Sequence, residues 1–422
     1  MKYTKKILPS GLRVIVVPMD NPTVTVLTLV EAGSKYEDKK INGLSHFLEH
    51  MCFKGTVRRP NASDISRELD ELGAAYNAFT SFEYTGYYAK GKKDHFKELL
   101  DIVSDLYLNP TFPAAEVEKE KGVICDEINM YEDQPKDDVE YLFTKLLYGD
   151  QPAGWSILGT KEIIRSLNRK NFLAYRKKHY IAKATTVIVA GGIKEADVFR
   201  EVAKAFKGAE KGAKGGKKKV IEKQSLPKVL TKEKKTDQTH LILGVRAFDL
   251  FDKRNYALTV LAGVLGAGMS SRLFRRVRDE MGVGYYVGCG VDDLTDHGFL
   301  AAKAGVESSR ALEVVKAILE EFKKLKIEKV SKRELDKVKE TLINRMWMGL
   351  ESSSVASNFF GAQEVFHKKI ESPEEYEKKI RAVTAEEVQK IALTIFQNKG
   401  LNLAMISSNK NVDEFKKILS LQ

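Results

Sequence analysis

The spacing of apolar positions along the 422 residues switches repeatedly between a strand period and a helix period. MKYTKKILPSGLRVIVVPMD alternates and turns at Pro9-Ser10-Gly11, which predicts a β-hairpin. Strands are expected near 11–18 and 23–32. A helix follows from about 43 to 54, with Leu44, Phe47, Leu48 and Met51 apolar. A short helix at 63–72 and a hairpin over 74–90 come next. Helical periods then run near 94–108, 114–132, 137–148 and, twice more, over 160–178. The strand ATTVIVAGG and a last helix close this half.

The second half repeats the order. THLILGVRA reads as a strand, 253–266 and 270–281 as helices, and GVGYYVGCGVDD with HGFLAAKAGV as a hairpin. Helices at 308–326, 331–352 and across 353–397 precede the strand LNLAMISS and a final helix. The shared sequence strand–helix–helix–hairpin–helices–strand–helix predicts a duplicated α+β unit of roughly 200 residues. The expected fold is two homologous domains, each a mostly antiparallel sheet packed with helices. Their expected limits are 1–208 and 237–422, joined by a linker at 209–236.

Composition adds little: 43% hydrophobic and 30% charged residues suit a globular chain. No run of 18 apolar residues occurs, and the N-terminus lacks the apolar middle of a signal peptide, so a cytoplasmic protein is expected. Cys52, Cys125 and Cys289 are scattered, without metal-knuckle spacing. Cys52 and Cys125 read as small buried apolar residues. The net charge of +12 is uneven, because 11 lysines and 3 glutamates fall between Lys207 and Lys235. That Gly/Lys-rich stretch has no aromatic residue. It reads as a solvated linker, and no nucleic-acid partner is expected.

Chemistry concentrates in HFLEH. On a helix, His46 and His50 project from one face, about 40° apart, and can clamp one Zn²⁺. Glu49 lies beside them without having to bind the metal, where a general base for a water nucleophile is needed. This reverses the commoner His-Glu-x-x-His order. A catalytic zinc needs a third protein ligand. In EVEKEKGVICDEINMYEDQP, Glu120 and Glu127 are two helical turns apart and share a face anchored by Ile124. Glu127 is the expected ligand and Glu120 an accessory carboxylate orienting a ligand or the water. The competing reading is a pair of ordinary helix histidines, but buried histidines need partners. His95, His179, His240, His297 and His367 have no clustered partners and are expected on the surface or in loops.

The chain resembles the M16 zinc metallopeptidases, the pitrilysin/insulinase/mitochondrial-processing-peptidase family, of the short two-domain type. The family pattern is His-x-x-Glu-His, then 76 residues, then Glu, and 76 residues separate His50 from Glu127. GLSHFLEHMCFKGT, LGAAYNAFTSFEYTGYYA, EKGVICDEINMYEDQP, SILGTKEII and SSRLFRRVRDEMGVGYYV extend the likeness over nearly the whole chain. The resemblance implies zinc held by His46, His50 and Glu127, Glu49 as base and Glu120 as accessory. It also implies an edge strand at Asn77, Ala78 and Thr80 that receives an extended peptide. Arg278 and Tyr285, with Tyr286 as a rival for the phenol, would sit over the scissile bond. In two-domain members that pair comes from the partner subunit, which implies a homodimer enclosing a chamber, with no membrane partner. The implied activity is zinc-dependent hydrolysis of unfolded peptides. The alternative from another class is a non-catalytic scaffold or regulatory subunit, against which the intact motif counts.

Overall fold

The computed structural model describes residues 1–366, 369–408 and 412–421. His367 lies outside them. Eleven strands form two sheets among the described residues. The first contains β1 (Thr4–Ile7), β2 (Arg13–Pro18), β3 (Thr23–Val30), β4 (Ala75–Thr80), β5 (Thr85–Lys92) and β6 (Thr185–Gly191). The second contains β7 (Lys228–Glu233), β8 (Gln238–Arg246), β9 (Tyr286–Leu294), β10 (His297–Glu307) and β11 (Asn402–Ser407). Their orders are β1-β2-β6-β3-β5-β4 and β7-β11-β8-β10-β9. Only β2/β6 and β7/β11 pair in parallel; every other neighbour is antiparallel. Leaving β1 aside, the two sheets have one topology, so the duplicated α+β architecture read from the sequence is the architecture of the molecule.

Two compact units surround these sheets. One comprises Met1–Asn129, Ser156–Lys218 and Trp347–Glu374; the other Met130–Trp155, Lys219–Met346 and Glu375–Gln422. The units therefore do not follow the midpoint of the sequence. Each half supplies a helix that packs with the other half's sheet: Pro135–Tyr148 on β7, β8 and β11, and Ser353–Phe366 on β2, β3 and β6. The physical cause is burial. Apart from the edge strand β7, these strands are mostly buried along their length, so both faces of the sheet need covering. In the first unit, Gly361 lies against Leu29 and Ile188, while Leu99 of helix Phe96–Leu108 lies against Gly91, the register partner of Val24. Odd and even positions of β3 point to opposite faces, so these two helices cover opposite sides. In the second unit, Val139, Phe143 and Leu147 join Ile242, Ala301, Ala404 and Ile406 in one buried cluster.

Residues 209–227 of the Lys/Gly stretch form no helix or strand and are mostly exposed, but several of its lysines pair with acids. Lys214 pairs with Glu31, Lys217 with Glu83 at 3.0 Å, and Lys218 with Asp38 at 3.3 Å. Its far end forms β7, paired with β11, and Lys232 reaches Asp138 at 2.6 Å.

Candidate metal centre

The helix Leu44–Cys52 carries the two histidines, and every residue of it except His50 is buried. Its start is fixed by backbone chemistry. Gly43 adopts a left-handed φ of 95°, and a Cβ there would lie 2.5 Å from the Leu158 carbonyl oxygen. The buried Glu37 carboxylate accepts from the N–H groups of Gly43 (2.8 Å) and Ser45 (2.5 Å) and from Asn42 Nδ2 (3.1 Å). An acid thus satisfies donors that a helix start leaves unpaired. Burial pushes the Glu37 carboxyl up to about 7, against the pull of these hydrogen bonds.

The opposing acids come from helix Ala114–Asp133. Val117, Glu120, Ile124, Cys125 and Ile128 are its buried positions, and Glu120 and Glu127 follow one inward stripe. The structure brings His46, His50 and Glu127 together. Glu127 Oε2 lies 3.5 Å from His46 Nε2 and 3.6 Å from His50 Nε2. One ligand atom from each lies within 4.8 Å of the others, the only such group among the described residues. Three donors held tetrahedrally at ~2.0–2.2 Å from one zinc stand about 3.3–3.6 Å apart, which fits the observed spacing. Glu127 Oε2 is buried and has no hydrogen-bond partner, as a carboxylate oxygen kept for a cation would be.

Protonation states suit the same arrangement. His50 Nδ1–H donates to Glu120 Oε1 at 3.0 Å. A carboxylate only accepts, so Nδ1 carries a proton, and it is the neutral form of the ring that offers an Nε2 lone pair toward Glu127. Burial would lower the His50 pKa, but the Glu120 hydrogen bond and the Glu49 and Glu127 charges raise it overall. Burial and the neighbouring His50 push His46 down to about 3, leaving that imidazole neutral at neutral pH. Glu120, only 3% exposed, also receives Lys54 Nζ at 2.6 Å. Burial alone would raise its carboxyl; the His50 and Lys54 hydrogen bonds bring it below the usual range. Lys54 offsets part of the Glu120 charge, and Glu49, Glu127 and Glu120 all act on His50. Glu127 is raised by burial and by the Glu120 charge. Glu49 is raised by burial, and the Thr80 hydrogen bond opposes that rise.

The remaining expected residues fall in two places. Asn77, Ala78 and Thr80 lie on β4, the edge of the first sheet, which packs against the histidine helix. Asn77 Oδ1 accepts from the Ala78 N–H, and Thr80 Oγ1 donates to Glu49 Oε2 at 2.6 Å. Arg278 and Tyr285 belong to the second unit. Arg278 sits in a π-helical turn, Arg275–Glu280, and donates to the Tyr285 carbonyl at 2.8 Å. The Tyr285 side chain is 65% exposed, whereas the Tyr286 hydroxyl is engaged with His240 Nδ1 at 3.0 Å.

Sequence reading did not find Glu37, Lys54 or the contact from Thr80 to Glu49. Lys54 follows His50 by one helical turn, a signal that was present; the other two are contacts across the fold with no local pattern. Two histidines expected on the surface are buried instead. His179 packs against Tyr36 and Tyr175, and His297 packs on Tyr148 with Nδ1 bonded to Asp296. Burial against aromatic rings lowers the His179 pKa to about 4, which keeps that imidazole neutral at neutral pH. Cys52 and Cys125 are buried, as expected.

Sequence comparison agrees with this geometry. The family model for insulinase (peptidase family M16) matches residues 13–161, and that for the peptidase M16 inactive domain matches residues 166–342. The chain belongs to peptidase family M16. It is 35% identical over 406 residues to the uncharacterized zinc protease YmxG of Bacillus subtilis, covering 96% of this chain and 98% of that one. An uncharacterized zinc protease of Rickettsia bellii is 32% identical over 406 residues, covering 95% and 97%. The fold is that of a protease from Helicobacter pylori, with TM-score 0.89 at 22% identity over 96% of this chain and 99% of that one. Family and relatives together support a metallopeptidase. Among the described residues no helix is long and apolar enough to cross a membrane.

Proposed function

We propose that this protein is a zinc-dependent endopeptidase acting on unfolded peptides. The observation that carries the reading is the buried, unpartnered Glu127 Oε2 facing two imidazole nitrogens at 3.5 and 3.6 Å. His46, His50 and Glu127 would hold the zinc. When bound, zinc supplies Lewis acidity and makes water acidic enough to act as a nucleophile near neutral pH.

The chain's own groups do the rest. Glu120 holds the Nδ1 proton of His50 and so keeps its Nε2 a lone-pair donor. Glu49 takes the proton of the attacking water and returns it to the leaving amine. The open side of β4, along Asn77, Ala78 and Thr80, pairs with an extended peptide by main-chain hydrogen bonds. A folded domain has no free strand to offer, so substrates are unfolded. Arg278 and Tyr285 stabilise negative charge on the scissile carbonyl, supplied by the partner copy in a homodimer that encloses a chamber. An exposed phenol beside an arginine in a π-turn supports that role, since such turns are frequent at functional sites. The half that matches the inactive-domain model, with no counterpart of the histidine pair, forms the supporting wall.

The test is Glu49→Gln. The variant should bind one zinc per chain and lose cleavage of a quenched fluorescent peptide. Cleavage at the parental rate would rule out Glu49 as base.

A further inference from the structure

A base that moves a proton twice must present the same oxygen in the same place at each step. Glu49 has a short side-chain contact that can do this. Thr80, the last residue of β4, donates its hydroxyl to Glu49 Oε2 at 2.6 Å. That distance is in the range of a charge-assisted O–H···O⁻ bond. The proton on Thr80 Oγ1 is committed to Oε2, which leaves Oε1 as the oxygen free to accept from water.

Thr80 is itself held. The turn after it is closed by Ser81 N–H on the Tyr84 carbonyl at 2.8 Å. Lys35 N–H donates to the Phe82 carbonyl at 2.8 Å and Ser34 N–H to the Ser81 carbonyl at 3.2 Å. Inside the turn, the fully buried Glu83 carboxylate meets Lys35 Nζ at 2.8 Å and Lys217 Nζ at 3.0 Å. Buried ion pairs of this kind fix one geometry because any other leaves a charge unpaired. The Lys/Gly stretch therefore contributes one of the two cations that anchor the turn next to Thr80.

We propose that Thr80 is the positioning residue for Glu49: its hydroxyl pins one carboxylate oxygen so that the other is aimed at the attacking water. The inference rests on Glu49 being the base. Thr80 is then bifunctional, ending the edge strand offered to the peptide and orienting the acid that cleaves it.

The test uses the full-length, zinc-loaded chain and a quenched fluorescent peptide. Thr80→Val keeps the shape of the side chain and removes the hydroxyl; Thr80→Ala removes it without adding bulk; Thr80→Ser keeps it. Val and Ala should lower kcat about 10- to 100-fold, the effect of losing one hydrogen bond to a charged group. KM, zinc content and melting temperature should stay at parental values. Ser should restore most of kcat. In a Glu49→Gln background, adding Thr80→Val should cost nothing further, since the two act through one group. Crystals of zinc-loaded Thr80→Val should show the Glu49 carboxylate in more than one orientation. Parental kcat in both Val and Ala would overturn the inference, as would Ser as slow as Val, or an undiminished loss in the Gln background. If Glu49→Gln alone kept the parental rate, the base assignment itself would fail first, which separates the two outcomes.

Discussion

The two sheets differ by one edge strand and otherwise share a topology, β2-β6-β3-β5-β4 against β7-β11-β8-β10-β9. What separates the units is the helix beside the last strand. In the second unit, helix Asn255–Gly266 buries Leu258, Val260, Leu261, Val264 and Leu265 and packs on β9. A Cβ at Gly266 would lie 2.0 Å from the Cys289 backbone nitrogen, so helix and edge strand meet backbone to backbone. In the first unit the corresponding helix faces β4 through polar side chains, with Glu49 and Thr80 bonded across the gap. The same scaffold thus accommodates an apolar seam or a cluster of imidazoles and carboxylates. Apolar periodicity sets the fold; a few polar positions on one helix set the chemistry.

The largest contrast is expected from paired truncations. His50→Ala should lower peptide cleavage by at least about 1000-fold through loss of a zinc ligand, with the melting temperature of the zinc-free protein nearly unchanged. Leu261→Ala, in the corresponding helix, should do the reverse. It should cost about 2–5 kcal/mol of stability, measured by urea unfolding, and leave zinc content intact. If the two variants behaved alike, the division of labour between the units would be wrong.

A smaller effect should follow from Glu120→Gln, which weakens the hold on the His50 Nδ1 proton and leaves Lys54 without its carboxylate. Zinc affinity, titrated against a chelator, should fall about 10- to 100-fold. An unchanged affinity would make Glu120 a partner of Lys54 only.

The smallest concerns Glu37, whose carboxyl is raised from 4.5 to about 7 by burial. Below about 4.5 both folded and unfolded chains carry its proton, and its stabilising contribution is complete. As the pH rises through about 7, the unfolded chain ionises first and the contribution is lost, by at most about 3 kcal/mol. Melting temperature should therefore depend less on pH between 5 and 7 in Glu37→Gln than in the parent. Parallel pH profiles would mean that Glu37 is already ionised when folded.

Much of this was legible beforehand because it is periodic. Alternation found the hairpins and ten of the strands, and the seven-residue step put Glu120 and Glu127 on one helix face. The strand β7 was not legible, because Lys228–Glu233 has a lysine-rich pattern and becomes a strand only by pairing with β11. The exchange of helices Pro135–Tyr148 and Ser353–Phe366 was equally hidden. An amphipathic stripe shows that a helix packs, but not on which sheet. The grip of Thr80 on Glu49 links residues 31 positions apart, a distance over which side-chain spacing carries no information.

Zinc content is the most direct measurement of the central claim. Purified protein should hold one zinc per chain by elemental analysis. His46→Ala, His50→Ala and Glu127→Ala should each lose it while keeping the parental circular dichroism spectrum. Zinc retained at one per chain in all three variants would contradict the account.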